Sequence, residues 1–329
     1  NGGATWTAVT LPTPAGFTDK EFFGIGPDVD NLAQDRVYIA YHVNNVQFIN
    51  SSTDGVNWSA PVQVSDAGDV GINAQVAVAQ DGTVYMAWQG LGGAPGFSDI
   101  KFDSSPDGGL TWGTDQVAYT SNVAPFNDPG SPCGGQYCVP AAPTRGMGAY
   151  LSIDVDRSGG PFDGRVYMSI VDQGDLDGDP DPANQIDHDN TDVFVVSTTD
   201  GGATFSPPVR VNDDITTRSQ FIPWLAVDQT TGNLGVAWYD ARDNFGNRRV
   251  ALYFTFSSDG GATFDPNVRV SQGFSDESNA NSQKSFFDYG EYIGLAYRNN
   301  VAHALWADNS GLLGTSPGDQ DIFTAAIQT

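Results

Sequence analysis

Short runs of apolar or alternating residues, four to eight long, recur along the chain between clusters of Gly, Asp, Pro, Asn and Ser. Runs of that length, rich in Val, Ile, Tyr and Trp, predict strands rather than helices. They arrive in sets. An extended segment from Thr7 through Leu11 leads to Lys20–Ile25, then Arg36–Tyr41, Val46–Ile49 and Pro61–Ser65. The second set is Ala74–Val78, Thr83–Trp88, Ile100–Phe102 and Gln116–Ala118. The third is Tyr150–Ile153, Arg165–Ile170, Val193–Val196 and Pro208–Val211. The fourth is Pro223–Val227, Leu234–Trp238, Val250–Phe254 and Asn267–Val270. A last set, Tyr292–Ala296, Val301–Trp306 and Asp321–Ala326, lacks a fourth member. Trp88, Trp238 and Trp306 fall at equivalent points of the second runs, which reads as core.

One turn is repeated between the third and fourth run of the first four sets. It is Ser257-Ser258-Asp259-Gly260-Gly261-Ala262-Thr263-Phe264, and it recurs around Asp200 and Asp107, one residue shorter around Asp54, and with Asn in the Asp place at Asn1–Trp6. The Asp carboxylate can accept backbone N–H bonds inside such a turn, and the glycines supply positive φ. Units of about 50 residues with four short strands each are the size of a propeller blade. The expectation is an all-β, five-bladed β-propeller of four-stranded antiparallel blades in one domain, 1–329. Residues 1–12 would supply the strand that closes the last blade and removes an open edge. Six blades stay open as an alternative, through a degenerate blade in 119–149 or a natural chain that starts before Asn1.

Composition sharpens this picture. Net charge is −26, which speaks against nucleic acid and anionic membrane surfaces as partners. Of 40 acidic residues only Glu21, Glu277 and Glu291 are Glu, and an Asp excess suits turns and calcium ligation more than helices. No apolar run reaches membrane-spanning length. Cys133 and Cys138 stand five apart in a Gly/Pro-rich loop. A local disulfide in a secreted or periplasmic protein is the expected state, with reduced thiols or a metal pair as alternatives. The first residues show no signal peptide, as in a mature chain or a fragment.

The motif Ser-x-Asp-x-Gly-x-Thr-Trp/Phe resembles the Asp box, or BNR repeat, of bacterial sialidases and their relatives. Asp54, Asp107, Asp200 and Asp259 would be its structural aspartates. Lys20-Glu21-Phe22-Phe23, Phe221–Asp228 and Trp238–Asp243 also resemble exported proteins of the sialidase-like group. The resemblance implies a propeller; it does not by itself imply activity. A sialidase needs three arginines, a Tyr nucleophile activated by Glu, and an Asp acid/base. The early Arg-Ile-Pro motif is absent, with Phe221-Ile222-Pro223 in mid-chain instead, so no catalytic residue is assigned. Glu291 and Tyr292 are adjacent, and in a strand they would point to opposite faces.

The long loops, 89–99, 119–149, 171–192, 239–249, 271–290 and 307–320, fall mostly on the face opposite the repeated turns. That face is therefore the expected binding face. Arg145, Arg218, Arg242 and Arg248, with Asp240, are the ligand-binding candidates there; the competing reading is that such arginines simply bridge the many aspartates. His42 and His303 read as packed. Asp175, Asp177, Asp179 and Asp181 alternate around a Gly like the start of a calcium loop, without the Glu that ends an EF-hand. Calcium is expected there, with a solvated acidic loop as the alternative. The functional expectation is a calcium-binding propeller that binds or processes glycans. An active glycosidase, or a structural or adhesive propeller contacting protein in a surface assembly, are the alternatives.

Overall fold

The computed structural model describes residues 5, 7–94, 96–124, 133, 136–173, 191–277, 289–311 and 320–329. The chain forms the expected antiparallel five-bladed β-propeller, with no helix among the described residues. Blade one is β1 (Thr18–Asp28), β2 (Asn31–Val43), β3 (Val46–Ser52) and β4 (Val62–Gln63). Blade two is β5 (Gly71–Val78), β6 (Val84–Gly90), β7 (Ser98–Ser105) and β8 (Gln116–Ser121). A two-stranded hairpin, β9 (Tyr137–Val139) and β10 (Ala142–Met147), follows. Blade three is β11 (Ser152–Val155), β12 (Val166–Gln173), β13 (Thr191–Thr198) and β14 (Val209–Arg210). Blade four is β15 (Gln220–Val227), β16 (Leu234–Asp240), β17 (Ala251–Ser257) and β18 (Val268–Arg269). Blade five has β19 (Gly294–Arg298), β20 (Val301–Asp308) and β21 (Asp321–Gln328).

Among the described residues, the region 119–149 thus holds a hairpin rather than a hidden blade. The expected closing strand differs as well: Thr7–Pro12 form no strand, and β21 pairs only with β20 among the described residues. The Pro12 carbonyl instead accepts a bond from Asn50 Nδ2 on β3 at 3.1 Å.

Burial follows position. β6 and β16 are covered on both faces and are buried throughout, whereas β21 alternates half-buried and exposed. Inner strands pack in chain order, β1 on β5, β5 on β11, β11 on β15 and β15 on β19. Close approach needs glycine: a Cβ on Gly24 of β1 would stand 2.8 Å from the Val76 carbonyl of β5.

The four repeated turns are held from within. Asp259 Oδ1 accepts from the Ala262 and Thr263 amides at 3.0 and 2.9 Å, and Asp107 does the same with Leu110 and Thr111. The hydroxyl two residues earlier donates to the carboxylate in all four: Ser52, Ser105, Thr198 and Ser257. The Thr204 hydroxyl and amide and the Thr198 hydroxyl hold Asp200 down at about 2. In the turns of blades two, three and four a glycine also seats the turn on the preceding blade. A Cβ on Gly202 would meet the Phe102 ring at 2.3 Å, and one on Gly260 the Phe162 ring at 2.5 Å.

A second staple links neighbouring blades. Asp66 and Asp115 exchange amide-to-carboxylate bonds of 2.9 and 3.1 Å between blades one and two. Asp213 and Asn267 do the same between blades three and four, at 2.8 and 3.0 Å.

Candidate functional site

Because β1 runs antiparallel to β2 and β2 to β3, each first strand begins at the end of the disc away from the repeated turns. A bulge interrupts three of these strands near that start, between Asp19 and Phe22, Ile72 and Gln75, and Phe221 and Trp224. At each bulge one non-glycine residue takes a positive φ: Lys20 at 60°, Asn73 at 61° and Ile222 at 50°. Such a conformation costs about 1–2 kcal/mol for a side-chain-bearing residue. Recurrence at one height marks a scaffold feature that re-aims side chains.

In blade one the re-aimed residue is a lysine. Lys20 Nζ donates to one carboxylate oxygen of Glu291, just ahead of β19, and Arg145 Nη2 of β10 donates to the other. The lysine side chain is 7% exposed and Glu291 13%. Lys20 also lies 4.9 Å from the centroid of Tyr150 and 5.1 Å from that of Tyr292. Phe22 meets Tyr292 edge-on at 4.9 Å. Burial lowers the lysine pKa, and the Arg145 charge works in the same direction. Burial pushes the Tyr292 phenol above its ordinary value, and the Tyr150, Asp19 and Glu21 charges add to it. The Tyr292 hydroxyl has no hydrogen-bond partner among the described residues. Lys20 and Arg145 share one carboxylate, and the Asp19 and Glu21 carboxylates stand close by, in a chain of −26. Beside this cluster a cavity of about 520 Å³ opens between blades one and five, lined by Glu21, Phe23, Trp224, Tyr292 and Trp306.

The expected binding residues separate. Arg145 reaches the axial cluster. Arg242 and Asp240 close on each other at 2.8 Å, and Arg242 also holds Asp213 at 2.5 Å, the bridging arrangement that competed with ligand binding. Arg218 Nε donates to the Asn244 carbonyl, with its guanidinium 5.5 Å from the Phe245 ring. Arg248 is exposed and is held through its backbone amide, and Arg249 pairs with Asp276. Cys133 and Cys138 form a disulfide with Cα atoms 5.5 Å apart. His42 is packed; His303, expected to be packed, is exposed. Asp175, Asp177, Asp179 and Asp181 lie outside the described residues, and no group of three metal-ligating side chains occurs among the described ones.

Glu291 and Tyr292 precede β19 rather than sitting in a strand, so both reach Lys20, and the opposite-face argument against them does not apply. Sequence reasoning passed over Lys20, Tyr150 and Tyr292 as site residues. The available signal was scarcity: Glu21 and Glu291 are two of three Glu, and Lys20 is one of three Lys.

No protein-family model and no curated protein matches the chain. Solved structures match in fold. A protein of unknown function from Dyadobacter fermentans shares 14% identity at a TM-score of 0.52, covering 97% of this chain and 81% of that one. An α-L-arabinofuranosidase from Fusarium graminearum shares 11% at 0.51, covering 93% and 92%. A Hadza microbial sialidase shares 14% at 0.49, covering 94% and 52%. The chain is similar to these in architecture. Among the described residues, no helix is long and apolar enough to cross a membrane.

Proposed function

We propose that this chain is an exported glycan-binding propeller that takes an acidic sugar at the axial cluster. The observation that carries this is Glu291 held by both Arg145 and Lys20, the lysine lying over two tyrosine rings. A sugar carboxylate can replace Glu291 on either cation, and Phe23 and Trp224 in the adjoining cavity offer apolar faces to a pyranose. The location on the loop-rich end supports the same reading. Binding is favoured over tyrosine-nucleophile hydrolysis because a nucleophilic phenol needs a base that accepts its proton. Tyr292 donates to none of the described residues, its pKa is raised, and Glu291 is occupied by cations. Calcium at Asp175, Asp177, Asp179 and Asp181 belongs to the same proposal and rests on their spacing; export rests on the disulfide.

The test is an array of neutral and uronic- or sialic-acid-bearing glycans, followed by calorimetry on any binder. Arg145→Ala should weaken an acidic binder about tenfold or more, the loss of one charge-assisted bond. Equal binding by wild type and Arg145→Ala, or retention of neutral glycans alone, refutes the acidic-sugar reading.

A further inference from the structure

The seam between blade five and blade one is where the ring stays unpacked. Phe23 and Ile25 on β1 are 76% and 47% exposed, and Ile322 and Leu305 on blade five are 69% and 49% exposed. The cavity of about 520 Å³ is lined by Phe23, Leu305 and Ile322, with Trp224 of blade four at its side. At its outer side β21 pairs over all eight residues with β20 and presents its other edge without a partner among the described residues. Ile322–Ile327 contains no charge and no Pro, and the pairing has no bulge. Native sheets normally protect such an edge.

The missing piece has a recognisable chemistry. The fourth-strand segments of blades one, three and four read Val62-Gln63-Val64, Val209-Arg210-Val211 and Val268-Arg269-Val270. Val9-Thr10-Leu11 has the same alternation, lies in no strand, and leaves Val9 42% exposed. The root of this arm is fixed on blade one. The Phe17 amide donates to Asn44 Oδ1 at 3.1 Å, the Asn44 amide returns a bond to the Phe17 carbonyl at 3.0 Å, and Asn50 holds Pro12. Among the described residues, a single chain therefore carries both an unpaired edge and a strand-like arm that does not pair with it.

We propose that a second copy of this chain fills the edge. The Thr7–Pro12 arm of each copy adds as the fourth strand to β21 of the other, about a two-fold axis. A two-fold contact is self-complementary, so one exchange completes both fifth blades. Between Thr7 and Phe17 no residue is charged, and neither is any between Ile322 and Ile327, so the contact itself brings no like charges together. The remaining −26 per copy opposes association at longer range, and salt should strengthen the dimer by screening it.

Cys133 and Cys138 are bonded to each other and no cysteine is free, so an introduced thiol stands alone. Thr10→Cys and Thr324→Cys variants of the 329-residue chain, mixed and treated with a short bismaleimide, should give a cross-linked dimer well above either variant alone. Sedimentation should show a concentration-dependent dimer that strengthens with NaCl and disappears when residues 1–12 are deleted, with the strand circular dichroism retained. Three outcomes overturn the proposal. They are a monomer at every concentration and salt, a truncated chain that dimerises as well as the full one, and a Thr10→Cys/Thr324→Cys double variant that bridges within one chain. The last would assign the arm to its own blade five.

Discussion

Replacing Asp115 by Asn should stabilise the protein at alkaline pH and change little in acid. In the Asp66–Asp115 staple each carboxylate accepts the amide of the other residue. Burial, with the Asp69 and Asp66 carboxylates nearby, pushes Asp115 up to about 7 from 3.8. The folded form thus keeps a proton that the unfolded form releases near pH 4. The associated stability is present below the unfolded value and is lost as pH rises through about 7. A full shift of about three units would correspond to about 4 kcal/mol. Asp115 is only partly buried, so screening reduces this to about 1–2 kcal/mol. Asn267 occupies the same place between blades three and four and makes the same two bonds without a charge. Asp115→Asn should therefore raise Tm by about 1–3 °C at pH 8 and by under about 1 °C at pH 4. Asp103, raised to about 6 by burial, contributes a similar slope to the wild type, so the variant-minus-wild-type difference is the quantity to plot. Thermal unfolding followed by circular dichroism at pH 4, 6 and 8 measures it. Equal shifts at all three pH values, or a lower Tm at pH 8, would refute the reasoning.

Three further outcomes follow from the same geometry. Gly202→Ala puts a methyl 2.3 Å from the Phe102 ring at φ 97°, and urea unfolding should show a loss of about 2–4 kcal/mol. Glu291→Gln removes the carboxylate that Lys20 and Arg145 share, and should cost about 2–3 kcal/mol and lose most of that penalty when Arg145→Ala is added. Calcium should bind the wild type measurably by calorimetry and raise its Tm, and Asp175→Asn/Asp177→Asn should abolish both; no heat with the wild type refutes calcium there.

The blades were legible because each carries several consistent signals. The period-two runs, the Asp-Gly turn and the second-strand Trp agree in units of about 50 residues, and the strands sit where those runs are. The structure adds a role that the turn motif does not spell out: Gly202 and Gly260 are small because the preceding blade leaves no room, a tertiary constraint with no local signature. The axial site was less legible for a similar reason. Lys20, Arg145 and Glu291 come from blade one, the inserted hairpin and the approach to blade five, up to 271 residues apart, and nothing near any one of them announces the others. Arginine counts instead drew attention to blade four, where Arg242 is held by Asp240 and Asp213. The fourth-strand pattern of Val9-Thr10-Leu11 was readable, whereas its pairing depends on what stands across the seam.

The charge imbalance explains why the axial cations can matter in so acidic a protein. Many aspartates are satisfied by backbone amides and hydroxyls rather than by cations, as at Asp54, Asp107, Asp200, Asp228 and Asp259. Those carboxylates therefore do not need the 14 basic residues as counter-charges. Asp54, Asp107, Asp200 and Asp259 lie at the end of the disc remote from Lys20, more than a Debye length of about 10 Å if the strands between are seven or eight residues long. At physiological salt their field is largely screened at the cluster, and an incoming anion there meets chiefly Lys20, Arg145 and Glu291, with Asp19 and Glu21 beside them. Glycan binding should accordingly weaken only modestly between about 50 and 200 mM NaCl, as for a contact made by one or two partly buried cations. A steep loss of affinity over that range would place the binding charges on the exposed arginines of blade four instead.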